Sequence, residues 1–346
     1  MKQIHTYFTE MEDRGASDLH MVIGLPPMIR LSGELVPLKH PVLTADSNKK
    51  ILFDILSPDQ QTQIEKNRDF DMAYELEGVG RFRCNYFYQN RGLGAVFRII
   101  PTKILTLADL SLPDVLKTIS EYTKGLVLVT GPTGSGKSTT LAALIDYIND
   151  TRNAHIITIE DPLEFVHQNK KCLITHREIG SHSINFGEAL KVASRENPDI
   201  ILVGEMRDLE TISLALTCAE LGILVFGTLH TNSAARTIDR IINVFPSDQQ
   251  PQIRTMLSES LRAVIAQQLI KTRTGGRCAA NEILIGSAAL SNLIREGKIS
   301  QISSILQTGT SAGMQSMDSH LSQLVQDNKI TRKAAYEKAI DKSLFL

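Results

Sequence analysis

The residues best suited to chemistry are eight in a row, Gly131-Pro132-Thr133-Gly134-Ser135-Gly136-Lys137-Ser138, a full GxxxxGK[ST] pattern. Each residue type has a task there. Glycines let a loop curl so that successive backbone N–H groups point inward at phosphate oxygens. Lys137 has the reach for β- and γ-phosphates, and the Ser138 hydroxyl suits Mg2+. Thr139 follows in a helical pattern whose positive dipole end adds to the pull on an anion. At ordinary residue usage the pattern arises by chance about 0.01 times in a chain of this length. A nucleoside-triphosphate site is therefore expected.

Hydrolysis of the nucleotide needs acids to hold the Mg2+ shell and to orient water. Ile200-Ile-Leu-Val203-Gly204-Glu205 is an apolar strand ending in a carboxylate, as a Walker B element requires, although Gly-Glu stands where Asp is usual. A second acidic cluster, Glu160-Asp161-Pro162-Leu163-Glu164, follows a strand at 155–159. One of its carboxylates is expected to act as general base, and spacing does not choose among them. His230 ends a further strand, Ile223–Leu229. A lone histidine at a strand end is more often structural, but this one falls on the same sheet edge, where contact with a γ-phosphate is its natural task. Far upstream, strand alternation in Arg81-Phe-Arg83-Cys-Asn85-Tyr86 puts both arginines on one face. Two adjacent guanidiniums repel, so the face is solvated, carboxylate-paired, or shaped to grip phosphates.

The elements that must position these groups fall into two regions. Residues 1–100 read as a small α+β unit. A helix over 1–14 places Ile4, Tyr7, Phe8 and Met11 on one side. Short strands follow at 19–23, 28–31 and 34–36, the last two flanking a Ser32-Gly33 turn. Helical patterns near 44–56 and 58–66 precede strands at 70–76, 81–88 and 94–100, and Pro101 ends the sheet. Residues 101–115 read as a linker, and 116–346 as a second domain. In it, strands near 126–130, 155–159, 200–203 and 223–228 alternate with helices at 137–149, 185–195, 208–220 and 233–243. That alternation predicts a parallel sheet covered by helices. From about 250 the tail reads as mainly helical, interrupted by a strand at 280–284.

Composition narrows the function classes. The 37 Lys+Arg and 38 Asp+Glu of this 346-residue chain nearly cancel, which argues against holding nucleic acid or lipid by bulk charge. Aromatics are 5% and Trp is absent, so base-stacking surfaces are not expected. The four cysteines, at 84, 172, 218 and 278, form no CxxC, which disfavours a zinc ribbon or redox dithiol. The first residues lack an apolar signal core, and no stretch approaches the length of a membrane span. The expectation is a cytoplasmic chain that serves a membrane, if at all, by docking.

Together these segments resemble the type II/type IV secretion ATPase family and, within it, the twitching-motility (PilT-type) pilus-retraction ATPases. The resemblance runs along almost the whole chain. Ser17-Asp-Leu-His20 with Pro26-Pro27 and Gly33 is similar to the start of the family's N-terminal PAS-like domain. GPTGSGKSTT from Gly131 resembles its Walker A, TIEDPLEFVH (158–167) its Asp box, ENPDIILVGEMRD (196–208) its Walker B and GTLHTNSA (227–234) its His box. Gly313-Met-Gln-Ser-Met-Asp318 resembles its C-terminal helical segment.

The resemblance implies an α/β fold: a PAS-like α+β domain, then a RecA-like P-loop ATPase domain with a helical C-terminal extension. It implies a homo-hexameric ring with ATP and Mg2+ between domains. Glu164 would activate water, Glu205 would organise Mg2+ with Ser138, and His230 would sense the γ-phosphate. Arg81, Arg83 and also Arg98 would close the site. Rotation between domains would act on an inner-membrane pilus platform protein, with a paralogous ATPase as a further partner, from the cytoplasmic face and without membrane insertion. Assembly-type relatives carry a four-Cys zinc insertion late in the motor domain. Here 267–282 holds only Cys278, which favours retraction. Three positions depart from the retraction pattern: Ile223 where His is expected, Asn197 for Asp and Ser291 for Arg. The competing expectations are an assembly motor or accessory paralogue of the same family, a nucleic-acid translocase, and a non-catalytic nucleotide-switched scaffold.

Overall fold

The amphipathic start of the chain forms helix α1 (Gln3–Asp13), whose apolar positions Ile4, Tyr7, Phe8 and Met11 are all buried. The structure, a computed structural model, describes residues 2–31, 33–100 and 104–346. Contacts divide the chain into two units, 1–103 and 104–346.

In the first unit α1 is followed by β1 (Asp18–Met21), β2 (Met28–Leu31), β3 (Glu34–Pro37), α2 (Ala45–Phe53), α3 (Pro58–Asn67), β4 (Asp69–Leu76), β5 (Gly80–Gln89) and β6 (Gly92–Ile100). The strands form one antiparallel sheet in the order β3-β2-β1-β6-β5-β4. Alternation sorts β5 as the sequence predicts: Phe82, Cys84 and Tyr86 are buried, while Arg83 faces outward. The buried face meets α1, where Phe8 stacks on Phe82 at 4.0 Å and meets Phe97 edge-on at 5.1 Å. Helices α2 and α3 both begin with reciprocal capping boxes, Thr44 with Ser47 and Ser57 with Gln60. The predicted turn at Ser32-Gly33 and the strand stop at Pro101 involve Ser32 and Pro101, which lie outside the described residues.

The second unit opens with α4 (Val115–Ser120) and β7 (Gly125–Thr130), followed by α5 (Lys137–Thr151), β8 (His155–Glu160) and β9 (Leu173–Glu178). Next come α6 (Phe186–Ala193), β10 (Ile200–Val203), α7 (Leu209–Glu220), β11 (Leu224–Leu229) and α8 (Ala234–Asn243). The chain then runs through α9 (Gln250–Ser260), β12 (Leu261–Lys271), β13 (Arg277–Ile285), α10 (Ala288–Arg295), α11 (Ile302–Thr308), α12 (Met317–Gln326) and α13 (Arg332–Lys338). The sheet order is β13-β12-β7-β11-β10-β8-β9, parallel except for the antiparallel edge strand β13.

Helices cover both faces of this sheet, so its central strands are apolar throughout rather than alternating. One core includes Leu126, Leu128, Ile157, Ile201 and Val225. The opposite core includes Val127, Val129, Leu144, Ile156 and Phe226. The expected fold class is therefore present, an antiparallel α+β domain followed by a parallel-rich α/β domain.

The expected C-terminal extension needs correction. Residues 261–271 are not helix but strand β12, beside the strand that carries the phosphate loop. The extension becomes mainly helical only after β13. Strand β9 is a further element that the sequence pattern does not announce. Asn197 has φ +53°, a left-handed conformation in which Asn is well tolerated. Ser291 donates its hydroxyl to the Ser258 carbonyl at 2.6 Å, linking α10 to α9.

Truncation of the stacked ring gives the first test. Phe8→Ala should destabilise the first unit by about 3–5 kcal/mol. Hydrogen exchange of the α1 and β5 amides in the full chain measures that loss directly, and amides of β7 should keep their protection.

Candidate active site at the carboxyl ends of the parallel strands

Parallel pairing brings the ends of four strands level. Val203 pairs with Ile159 and Gly227, and Leu229 pairs with Thr130. The residues that follow these positions therefore collect at one sheet edge, where open α/β sheets bind ligands.

The loop after β7 has the backbone that the pattern demands. Gly131, Gly134 and Gly136 have φ of +146°, +76° and +84°. A Cβ on Gly131 would lie 2.3 Å from the Gln267 carbonyl oxygen, so close approach as well as φ demands glycine there. Gly136 precedes α5 without a side-chain cap, which leaves the first-turn amides to an anion. Lys137 is buried, and its Nζ donates to the Gly131 carbonyl at 2.9 Å and the Pro132 carbonyl at 3.2 Å. Burial holds its ammonium below the usual lysine range, while the charges of Glu205 and Glu164 pull the other way.

Glu205 is the hub of the acidic side. Its Oε1 lies 2.8 Å from His230 Nε2 and is also paired with Arg207 Nε. The His230 ring then reaches back, with Nδ1 3.5 Å from Lys137 Nζ. Burial alone would raise the Glu205 carboxyl. The Arg207 hydrogen bond and the Arg207 and His230 charges hold it below the ordinary carboxylate range. The Thr228 hydroxyl donates to the Gly204 carbonyl and so ties the end of β10 to β11.

The Asp box splits into different environments. Glu164 lines an open cleft together with Lys137, Ser138, Glu205 and His230. Glu160 accepts the Glu164 backbone N–H at 3.3 Å and lines a neighbouring pocket with Ser138, Glu164 and Glu205. Burial pushes the Glu160 carboxyl up to about 7, helped by the charges of Glu164 and Glu178. Of the two glutamates, Glu164 alone also lines the cleft that holds Lys137 and His230.

Of the other loop residues, Thr133, Gly134 and Gly136 line the same cleft. Ser135 Oγ is buried without a hydrogen-bond partner. Thr139 lines an adjoining open groove beside Gly136 and Thr140. The arginines belong to the first unit. Arg98 Nε donates to the buried Asp18 carboxylate at 2.8 Å, and Arg81 lies 4.0 Å from Glu75. Arg98, which the resemblance adds to the site arginines, is thus paired with a carboxylate of its own unit.

Three residues at the site stand outside the sequence expectations. Arg207 sits on Glu205, Arg277 lines the cleft, and Gln267 underlies the loop. Arg207 falls within the Walker B segment, so its charge beside Glu205 is the available signal. The other two sit on strands β12 and β13, and β12 reads as helix from its residues.

The donor set fits a nucleotide with a divalent cation. Ser135 Oγ is an orphaned buried hydroxyl inside the loop, Lys137 is held by two carbonyls a phosphate could replace and lies beside His230, and Ser138 and Glu205 are oxygen donors of the kind Mg2+ takes. Fold and site together define a P-loop nucleotide-binding protein. The chain belongs to the type II/IV secretion system protein family, whose model matches residues 71–343.

Two relatives with pilus-associated names match over most of their length. The type IV pilus retractation ATPase PilT of Pseudomonas aeruginosa is 56% identical over 326 residues, 94% of this chain and 95% of its own. A twitching motility protein of Neisseria gonorrhoeae is 53% identical over 314 residues, 90% of this chain and 84% of its own. Among solved structures, that of the pilus retraction motor PilT with bound ADP superposes with a TM-score of 0.93 at 44% identity, covering 99% of this chain and 98% of that one.

The raised Glu160 carboxyl makes stability depend on pH. The folded chain binds this proton more tightly than the unfolded one, so stability falls as pH rises from 4.5 to about 7. Glu160→Gln, which cannot ionise, should lack that slope and be more stable than wild type at pH 8 by up to about 3 kcal/mol. Paired denaturant titrations at pH 4.5 and pH 8 measure the difference.

Proposed function

We propose that this chain is an ATP-hydrolysing motor that powers retraction of type IV pili. The observation that carries the proposal is the gathering of Lys137, Ser138, Glu164, Glu205 and His230 in one cleft. It is supported by full-length similarity to pilus-retraction ATPases.

The steps follow from the groups present. Backbone amides of the loop 131–139 hold the phosphates, and Lys137 exchanges its two carbonyl partners for β- and γ-phosphate oxygens. Ser138 and Glu205 would hold Mg2+, which when bound polarises the γ-phosphate as a Lewis acid. Glu164 accepts a proton from the attacking water and orients it. His230, which shares Glu205 and lies near Lys137, contacts the γ-phosphate and couples its loss to Glu205. Assignment of Arg81 and Arg83 to phosphate binding rests on sequence resemblance alone.

The first unit is taken as the PAS-like domain and the second as the motor. No helix among the described residues is long and apolar enough to cross a membrane. The proposal is completed by a homo-hexamer that docks on an inner-membrane platform protein from the cytoplasmic side, with a paralogous ATPase as a further partner.

Two variants separate binding from chemistry. Lys137→Ala should weaken nucleotide binding by about tenfold or more, the worth of a charge-assisted hydrogen bond. Glu164→Gln should bind ATP normally, yet lose turnover by about 10²–10⁴-fold. Calorimetric titration and a phosphate-release assay read the two effects, and unchanged turnover in either variant would reject the site. In cells, deletion of the gene should leave hyperpiliated bacteria that cannot twitch, whereas bald cells would mean assembly.

A further inference from the structure

Gln267 is a buried polar side chain that hydrolysis does not call for. It lies on β12, 2% exposed, among the apolar residues that join this strand to β7. A primary amide in such surroundings must satisfy its own donors and acceptor. Gln267 does so on the phosphate loop. Its Nε2 donates to the Ser135 carbonyl at 2.7 Å, and its Oε1 accepts from the Thr140 hydroxyl at 2.8 Å. One side chain therefore grips the loop at its apex and in the first turn of α5. The Ser135 carbonyl can only accept, which fixes the sense of the Gln267 amide.

The peptide unit gives this grip a direction. In a planar trans peptide the C=O and the following N–H point to opposite sides. Anchoring the Ser135 carbonyl on Gln267 turns the Gly136 N–H away from β12, as an inward-facing phosphate cradle needs. Glycine at 136 leaves that peptide free to rotate in the absence of an anchor.

The same amide continues inward. Gln267 Oε1 also accepts from Asn281 Nδ2 of β13 at 3.0 Å. The Asn281 backbone N–H donates to His320 Nδ1 at 2.9 Å, and its carbonyl accepts from Gln315 Nε2 at 2.8 Å. His320 is on α12 and Gln315 just precedes it. An unbroken polar chain thus runs from the phosphate loop to α12.

We propose that Gln267 is a positioning residue that holds the phosphate loop in its anion-binding form and, through Asn281, ties the loop's conformation to helix α12. This rests on the loop being the nucleotide site.

The test measures MgADP and MgATP affinity and steady-state ATPase kinetics for wild type, Gln267→Leu and Gln267→Glu. Leucine keeps the volume and removes both bonds. Glutamate keeps the acceptor for Thr140 and Asn281 but loses the donor for Ser135, and being nearly isosteric it carries the measurement should the leucine variant fail to fold. Both variants should raise Kd and KM about tenfold, as expected for loss of a buried hydrogen bond, with kcat within about threefold of wild type. Nucleotide affinities within twofold of wild type would overturn the proposal.

A second arm follows hydrogen exchange in α12. MgADP should slow it in wild type, and His320→Leu, which removes the acceptor on α12 for the Asn281 N–H, should abolish that response while nucleotide affinity stays within about threefold. No response in wild type would overturn the link to α12. Failure of wild type itself to bind nucleotide would instead remove the site assignment, a result distinct from either.

Discussion

A lysine ammonium withdrawn from water must be held by acceptors, and the motor unit is built around meeting that demand at Lys137. Two loop carbonyls accept from it, and two carboxylates, Glu205 and Glu164, favour its charge from across the cleft. The charge is held, but by groups with other tasks. An incoming phosphate offers stronger, charge-assisted partners and releases those carbonyls. Binding energy for the nucleotide thus comes partly from replacing weak neutral acceptors around a charge that is already desolvated. The same carboxylates are left facing the phosphate, where a divalent cation is needed to offset them.

That cluster exists because of the sheet. Lys137, Glu164, Glu205 and His230 come from segments spread over nearly a hundred residues, and only the level ends of β7, β8, β10 and β11 bring them together. Both faces of the sheet are packed with helices, so strand ends cannot shift singly without opening a core. Small residues then set the final spacing. A Cβ on Gly227 would lie 2.3 Å from Met206 Sδ, and one on Gly204 would lie 3.2 Å from Glu160. The glycines fix how closely the acid-bearing turns approach one another.

Much of this is legible in the amino-acid sequence alone. The GxxxxGK[ST] loop, the acid after an apolar strand and the histidine after the next strand are local patterns, and each lies where its segment suggests. What is not legible depends on pairing. Strand β12 follows α9 with no Gly or Pro between Ser260 and Leu261, and Leu, Ala, Gln and Lys in it are good helix formers. It is buried on both faces over much of its length, so alternation cannot reveal it. Gln267 is hidden with it. The Arg98–Asp18 pair joins residues 80 apart in the chain, and only the pairing of β1 with β6 makes it visible. Choosing Glu164 over Glu160 likewise requires knowing which carboxylate shares the cleft of Lys137 and His230.

The most direct measurement is a structure of the chain with a non-hydrolysable ATP analogue and Mg2+. The account predicts that the analogue's terminal phosphates occupy the cleft on Lys137, that Lys137 Nζ leaves the Gly131 and Pro132 carbonyls for phosphate oxygens, and that Ser138 and Glu205 lie at the cation. A nucleotide bound elsewhere, or a Lys137 that keeps both carbonyls with the analogue present, would contradict it.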